Sequence, residues 1–279
     1  MGVSIKGARN TGRLILGAAT VALFIILSSC SVISGAVGNA MGNAAGNSMA
    51  SSMQGPAQQA QFSAIYSQVF FIGGFGLDNG QAKIGRLLEW RIDSTDKNGT
   101  DSVWADRALL STEPDGSQWW YLAYRTKEDN VEYVVQLDKD NNPLLLRFKN
   151  KDSGKIEEVK YDRAEAQKGQ QEMKNNQSAS QGGVPASQNG QVITDPNVYS
   201  QYMKGQETVN VGAGTFQTDK LSYAYADPND ATNKVEYTWW ISKDLPGVVK
   251  YEWVVTKEKN SLKGELVKLQ DGFTTPLQP

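Results

Sequence analysis

Alternating apolar and polar residues, interrupted by short polar turns, constrain the fold of this chain more than any other feature. Between about Lys83 and Tyr161 the alternation is clearest at Leu88, Trp90 and Ile92, which are separated by charged residues. Turn clusters such as residues 96–99 (Asp-Lys-Asn-Gly) and 113–116 (Glu-Pro-Asp-Gly) recur at regular intervals. A period of two with turns at this spacing predicts an antiparallel meander of about six strands.

A second block with the same pattern follows between residues 208 and 269. Val249, Tyr251 and Trp253 alternate with Lys250 and Glu252, and residues 227–230 and 245–247 provide turns. We therefore expect about eleven strands in all. The fold class is α+β, mainly antiparallel β, with a strongly curved, half-barrel-like sheet packed against a few helices. The pattern favours one continuous sheet but does not decide it.

The expected helices precede the two strand blocks. The first opens at Pro56 and ends at Gly73-Gly74. Its apolar residues recur at helical spacing and form a stripe suited to packing on a sheet; they are Phe62, Ile65, Tyr66, Val69 and Phe70. A second, short helix opens at Asp195-Pro196 and runs through Tyr199 and Met203.

The first thirty residues carry a targeting pattern. The basic residues Lys6, Arg9 and Arg13 precede an uncharged run from Leu14 to Leu27. A basic front, a short apolar run and small residues at a cleavage point are typical of a secretory signal peptide. The apolar run is shorter than the ~20 residues that a membrane-spanning helix needs.

The end of that segment, Leu27-Ser28-Ser29-Cys30, also resembles the lipobox of bacterial lipoproteins. The resemblance implies that Cys30 becomes the lipidated first residue of the mature protein, with palmitate-like acyl chains in the membrane. Ser31 follows instead of an aspartate, which in Gram-negative lipoproteins implies sorting to the outer membrane. The expected location is therefore the cell envelope.

Five segments follow from these patterns. Residues 1–29 are the expected signal peptide, and residues 30–55 a lipidated flexible tether. Gly38, Gly42 and Gly46 repeat every four residues within the tether, so a glycine-zipper helix is the alternative there. Residues 56–163 hold the first helix and meander, residues 164–194 a disordered or surface linker, and residues 195–279 the short helix and second meander.

Residue types missing from the chain exclude much chemistry. The sequence has no histidine and one cysteine, which removes histidine-dependent catalytic triads and imidazole or thiolate metal sites. With 28 basic and 30 acidic residues the chain lacks the positive field of a nucleic-acid-binding protein. We expect no enzyme activity, no catalytic residues, no metal site, no cofactor and no nucleic-acid partner.

The second strand block resembles the LolA/LppX-like superfamily of periplasmic half-barrel proteins. The resemblance lies in Gly214-Thr215-Phe216 with Lys220, in Trp239-Trp240-Ile241, and in residues 245–250 (Leu-Pro-Gly-Val-Val-Lys). It implies a bent antiparallel sheet that wraps over helices and encloses an apolar cavity. It carries over no ligand-binding residue.

Two tryptophan pairs are the candidate ligand-binding residues: Trp119, Trp120, Trp239 and Trp240. Adjacent strand residues face opposite sides of a sheet, so one member of each pair should point inward. These indoles either fill the core or line a cavity for an acyl chain or another apolar ligand.

The expected function is a membrane-anchored, non-enzymatic envelope lipoprotein that binds a lipid, an acyl chain or an envelope protein. The alternative is a structural or host-facing surface lipoprotein without a small ligand.

Overall fold

The computed structural model describes residues 82–139, 141–151, 153–161, 202–227, 230–257 and 259–278, together with Phe62, Ile65, Tyr66, Val69, Phe70, Ile72–Gly74 and Ser200. The predicted signal peptide, Cys30, the tether 30–55 and the linker 164–194 lie outside the described residues. The start of the short helix at Asp195-Pro196 also lies outside them.

Eleven strands make up most of the described part of the chain. They are β1 (Leu87–Asp96), β2 (Gly99–Thr112), β3 (Gln118–Arg125), β4 (Asn130–Leu137), β5 (Pro143–Lys149), β6 (Ile156–Lys160), β7 (Met203–Val211), β8 (Gly214–Asp227), β9 (Asp230–Ile241), β10 (Val248–Val255) and β11 (Asn260–Gln270). Met203, which the sequence placed in a short helix, instead begins β7 and pairs with Leu221 of β8.

The eleven strands form one antiparallel sheet in the order β6-β5-β4-β3-β2-β1-β11-β10-β9-β8-β7. Each block is a meander of neighbouring strands, and the two blocks meet where β1 pairs with β11, with Trp90 opposite Leu266. The predicted antiparallel sheet is therefore confirmed. The two blocks share that sheet, a point that the sequence pattern left undecided.

The sheet is open and half-barrel-like, with β6 and β7 at its two edges. In its second half the β7–β8 turn reaches back to β11. There the backbone N–H of Ala213 donates to the carbonyl oxygen of Leu266 at 3.1 Å. Gly212 lies so close to Val267 that a Cβ at Gly212 would be 3.0 Å from the Val267 Cα.

A helical segment, defined here by Phe62, Ile65, Tyr66, Val69 and Phe70, packs on one face of the sheet, which we call the inner face. All five side chains are buried, in a cluster with inward-pointing residues of the strands. This confirms the predicted apolar stripe. The expectation of further packing helices, and with it the α+β class, stays a prediction.

The opposite, outer face carries a second apolar cluster that the sequence reasoning did not anticipate. The C-terminal strap, residues 271–278, covers part of β1–β4 there: Phe273 lies 4.7 Å from the ring of Tyr121, and Leu277 is buried. The strap is tied down by Asp271, which accepts hydrogen bonds from Arg86 at 2.7 Å and Lys83 at 3.2 Å. Strand β3 is consequently buried on both faces.

Candidate functional site

The helical segment lies over the first half of the inner face and fills the space there. The ring of Phe62 meets Tyr133 edge-on at 5.2 Å, and Phe70 meets Trp120 edge-on at 5.5 Å. Tyr66 stacks on Phe70 at 5.1 Å, and its hydroxyl donates to the carbonyl oxygen of Asn141 at 2.8 Å. These rings are almost completely buried, so this half of the inner face is a packed core.

A buried arginine joins the end of the helical segment to the rest of the fold. Arg107 on β2 is 1% exposed, and it donates to the carbonyl oxygens of Phe70 at 3.0 Å and Pro246 at 2.5 Å. Its guanidinium lies 4.9 Å from the centre of the Trp90 ring. Burial lowers the pKa of Arg107 to about 9, so the group remains charged at neutral pH. The cation is held by one carbonyl of the helical segment, one carbonyl of the turn between β9 and β10, and a π-face, all of which favour positive charge.

The turn that follows, Ile72–Gly74, docks on the second half of the sheet. The indole N–H of Trp239 donates to the carbonyl oxygen of Gly73 at 2.6 Å. The ring of Tyr251 lies between two glycines: a Cβ on Gly73 would be 2.9 Å from it, and a Cβ on Gly264 would overlap it. Gly73 also has φ 64°, which other residues adopt at a cost. Two glycines therefore create the slot for this ring.

From this slot a continuous series of aromatic rings runs across the inner face toward edge strand β7. We call it the aromatic row, defined as Tyr202, Tyr223, Tyr237, Trp239, Tyr251 and Trp253. Cross-strand register builds it, because Tyr237 faces Trp253 on one side and Tyr223 on the other. Neighbouring ring centres are 5.5–6.1 Å apart.

The aromatic row differs from the first half of the inner face in its burial. Only Tyr251 is buried, and the other five rings are half-buried. The indole nitrogen of Trp253 is itself out of solvent and has no hydrogen-bond partner among the described residues. A buried indole N–H normally finds an acceptor. The row thus combines a contiguous apolar surface with one unsatisfied donor.

The two tryptophan pairs are divided between the faces of the sheet. Trp120 and Trp239 point inward, where Trp120 packs on Phe70 and Trp239 belongs to the aromatic row. Trp119 packs in the outer cluster. Trp240 lies on the outer face between the ammonium groups of Lys220 and Lys250, 5.1 and 4.5 Å from its ring centre. The structure therefore does not bring the four predicted residues together, and Cys30 lies outside the described residues.

Sequence reasoning missed Trp253, Tyr237 and Tyr223 as site residues. Their alternation on single strands was visible, since Tyr223 lies on the same face as Leu221, and Trp253 on the same face as Tyr251. What the sequence did not give was the register that places β8, β9 and β10 side by side with these rings aligned. Adjacent tryptophans are conspicuous in a sequence, whereas the aromatic row is built from single residues of separate strands.

On the outer face, Asp106 lies in a small charged cluster that shifts its pKa. Asp106 is 6% exposed and accepts two hydrogen bonds of 3.2 Å from Arg125, which also pairs with Glu89 at 2.9 Å. Burial raises the pKa of Asp106 to about 6, although Arg125 opposes the shift. In the described part of the chain no group of three or more His, Cys, Asp or Glu side chains is placed to hold a metal ion.

In the part of the chain that the structure describes, no helix is both long enough and apolar enough to cross a bilayer.

Comparison with known proteins gives only distant structural likeness. No family model and no curated protein matches the chain. A provisionally named lipoprotein of Parabacteroides distasonis is 13% identical, with 67% of this chain and 96% of that chain covered and a TM-score of 0.31. The MucA/MucB complex of Pseudomonas aeruginosa is 12% identical (72% and 57% covered, TM-score 0.35).

A provisionally named outer-membrane lipoprotein-sorting domain of Vibrio parahaemolyticus is 9% identical, with 72% of this chain and 90% of that chain covered and a TM-score of 0.29. This chain thus spans a little over half of the matched MucA/MucB chain. At such identities and TM-scores the likeness carries neither a ligand nor an activity over to this protein.

Proposed function

We propose that this protein is a non-enzymatic envelope lipoprotein, anchored through acylated Cys30, that binds an apolar ligand on the aromatic row. The ligand class is a lipid or acyl chain, or the apolar surface of an envelope protein. The single observation that supports binding is the half-buried state of five contiguous rings on the inner face. Contiguous apolar surface of this kind marks interaction sites more often than scattered residues do.

The anchor part of the proposal rests on the sequence. Lys6, Arg9 and Arg13, the apolar run 14–27 and the small residues before Cys30 have the order that lipid-modifying enzymes require. Two or three acyl chains, at ~0.8 kcal/mol per buried methylene, hold a protein firmly on a bilayer, whereas one chain does not. In a Gram-negative host Ser31 favours the outer membrane.

The binding part rests on the contrast between the two halves of the inner face. Under the helical segment, rings such as Phe62 and Trp120 are almost completely buried and leave no apolar surface for a ligand. Across β8–β10 the rings keep an exposed fraction, and covering it would gain about 25 cal/mol per Å² of apolar surface. The unpaired N–H of Trp253 would donate a hydrogen bond to an ester or carboxylate oxygen of the ligand.

A second candidate function also has a specific observation in its favour. The two inward tryptophans are already engaged, Trp120 against Phe70 and Trp239 through its hydrogen bond to Gly73. If the whole row served only to dock the helical segment, the protein would be a structural or host-facing surface lipoprotein without a small ligand. The experiment below separates the two.

The test is a titration of the chain from residue 30 onward, carrying Cys30→Ser, with a fatty acid while tryptophan emission is followed. We expect a saturable change that is lost in Trp253→Ala and weakened in Trp253→Phe, which keeps a ring but removes the N–H. Trp240→Phe is the matched control, because that indole lies on the outer face with its N–H on Glu207. It should bind as the parent does.

Native mass spectrometry of the protein extracted from membranes gives an independent readout. A co-purifying lipid or envelope protein that disappears in Trp253→Ala would support the binding function. No saturable change with fatty acid, together with no such species in the mass spectrum, would leave the structural lipoprotein as the better description.

A further inference from the structure

A cleft of about 690 Å³ opens on the outer face beside the turn between β2 and β3. It is separate from the aromatic row, which lies on the inner face. Its lining mixes carboxylates, hydroxyls, amides and one indole: Ser111, Glu113, Pro114, Asp115, Ser117, Trp119, Gln136 and Gln278. Pockets that bind small molecules combine an apolar surface with a few placed polar groups, and this cleft has that composition.

The turn that forms one wall of the cleft is rigidly built. Glu113 and Ser117 are joined by a backbone hydrogen bond of 2.8 Å, and Gly116 donates to the carbonyl oxygen of Glu113 at 2.9 Å. The carboxylate of Asp115 accepts from the backbone N–H of Ser117 at 2.9 Å and from its hydroxyl at 2.7 Å. The polar groups on this wall are therefore held in place before any ligand arrives.

Trp119 supplies the apolar floor of the cleft. Cross-strand pairing places it directly between Ser111 of β2 and Gln136 of β4. The ring is 8% exposed. Its indole N–H makes no hydrogen bond to a described residue, in contrast to those of Trp120 and Trp240. An indole N–H at the floor of a polar cleft is an available donor.

Hydrogen-bond acceptors line the cleft around the indole N–H of Trp119, and no positively charged side chain lies among them. Gln136 uses its amide nitrogen on Ser117 at 3.0 Å, which leaves its carbonyl oxygen for another partner. Among the described residues, Glu113 accepts one side-chain hydrogen bond, from Ser111 at 3.2 Å. No lysine or arginine lines the cleft, so a phosphate or carboxylate would meet Glu113 and Asp115 without a counter-charge.

We propose that this cleft binds a neutral saccharide unit, a hexose or an N-acetylhexosamine of a glycan. Sugar hydroxyls both donate and accept, which matches a site that offers an N–H beside carboxylate and amide oxygens. The exposed edge of the Trp119 indole, 8% of the residue, offers an apolar contact to the C–H groups of a pyranose ring. A neutral sugar also meets no repulsion from Glu113 and Asp115.

The experiment titrates the full-length protein in detergent micelles with tri-N-acetylchitotriose and, separately, with maltotriose. The indole N–H resonances of the seven tryptophans are followed by ¹H–¹⁵N spectroscopy. We expect a saturable shift of one resonance with at least one sugar, and that resonance should be missing from Trp119→Phe. Affinity should fall about tenfold in Trp119→Phe and in Glu113→Gln, as expected for a lost hydrogen bond.

Glu113→Gln changes a half-buried turn residue that lies outside the apolar clusters, so it tests binding without removing a core side chain. Trp240→Phe and Trp253→Phe are controls that should bind sugar as the parent does, which also separates this proposal from the aromatic row. Absence of a saturable shift with both sugars at millimolar concentration overturns the proposal. So does unchanged affinity in Trp119→Phe, or binding of glucose 6-phosphate as tight as that of the neutral sugar.

Discussion

Substituting Gly264 by alanine tests how tightly the second half of the inner face is packed. The ring of Tyr251 lies flat on the backbone of Gly264, so a Cβ there would be 2.5 Å from Cζ and 2.8 Å from Cδ1. The ring cannot simply retreat, because Gly73 is on its other side, where a Cβ would be 2.9 Å away. Tyr251 is 2% exposed, so relief requires movement of the docked turn or of β10.

The expected cost follows from two opposing effects. Overpacking of a filled core costs about 1–3 kcal/mol, and the severity of this overlap favours the upper end. Alanine in a strand interior recovers about 0.5–1 kcal/mol relative to glycine, since it has less backbone entropy to lose. The free energy of unfolding should therefore fall by about 2 kcal/mol, which for a chain of this size is about 4–8 °C in Tm.

The measurement is urea unfolding followed by circular dichroism, with the midpoint compared between parent and variant. A double-mutant cycle with Tyr251→Leu isolates the contact, because leucine leaves room for the added methyl group. In the Tyr251→Leu background, Gly264→Ala should be neutral or slightly stabilising. Equal stability of Gly264→Ala and the parent, or an equal loss in both backgrounds, would refute the slot between the two glycines.

Three further outcomes are expected. Cys30→Ala should block acylation and leave the precursor uncleaved at this site, which metabolic labelling with palmitate and membrane fractionation would show; normal processing with membrane retention would contradict the lipobox. Arg107→Lys should lower the free energy of unfolding by about 2 kcal/mol, because one ammonium group cannot replace the fork that bonds Phe70 and Pro246; an unchanged urea midpoint would argue against that bridge. Burial raises the folded-state pKa of Asp106 from 3.8 to about 6, so its contribution is fully present below pH 3.8 and is lost as pH rises through about 6. Asp106→Asn should remove this decline, of up to about 3 kcal/mol, from a plot of stability against pH, and a parallel decline in both proteins would contradict the assignment.

The strand content of this protein was predictable because it depends on local chemistry. Residues such as Leu88, Trp90 and Ile92 alternate with charged neighbours, and a period of two with Gly- and Asn-rich turns has few alternatives to an antiparallel meander. The helical stripe from Phe62 to Phe70 was visible for the same reason. The absence of histidine and the position of Cys30 likewise needed no coordinates.

The outer apolar cluster shows where local pattern becomes ambiguous. Residues 119–124 (Trp-Trp-Tyr-Leu-Ala-Tyr) form an uninterrupted apolar run in the sequence, and all six are buried in the fold. Such a run is typical of a strand covered on both faces. The cover on the second face comes from Phe273 and Leu277, whose contribution is not encoded in any periodicity near β3.

The strands, the helical stripe, the excluded chemistries and the expected anchor thus follow from local patterns in the sequence. The pairing of β1 with β11, and the alignment of Tyr223, Tyr237 and Trp253 on β8, β9 and β10 into one row, become visible in the folded structure alone. Register between strands far apart in sequence is set by long-range packing and not by local propensity. The same packing places Trp120 and Trp239 on the inner face, and Trp119 and Trp240 on the outer one. The sequence shows that adjacent residues of a strand face opposite sides of the sheet, but it does not show which side faces the core.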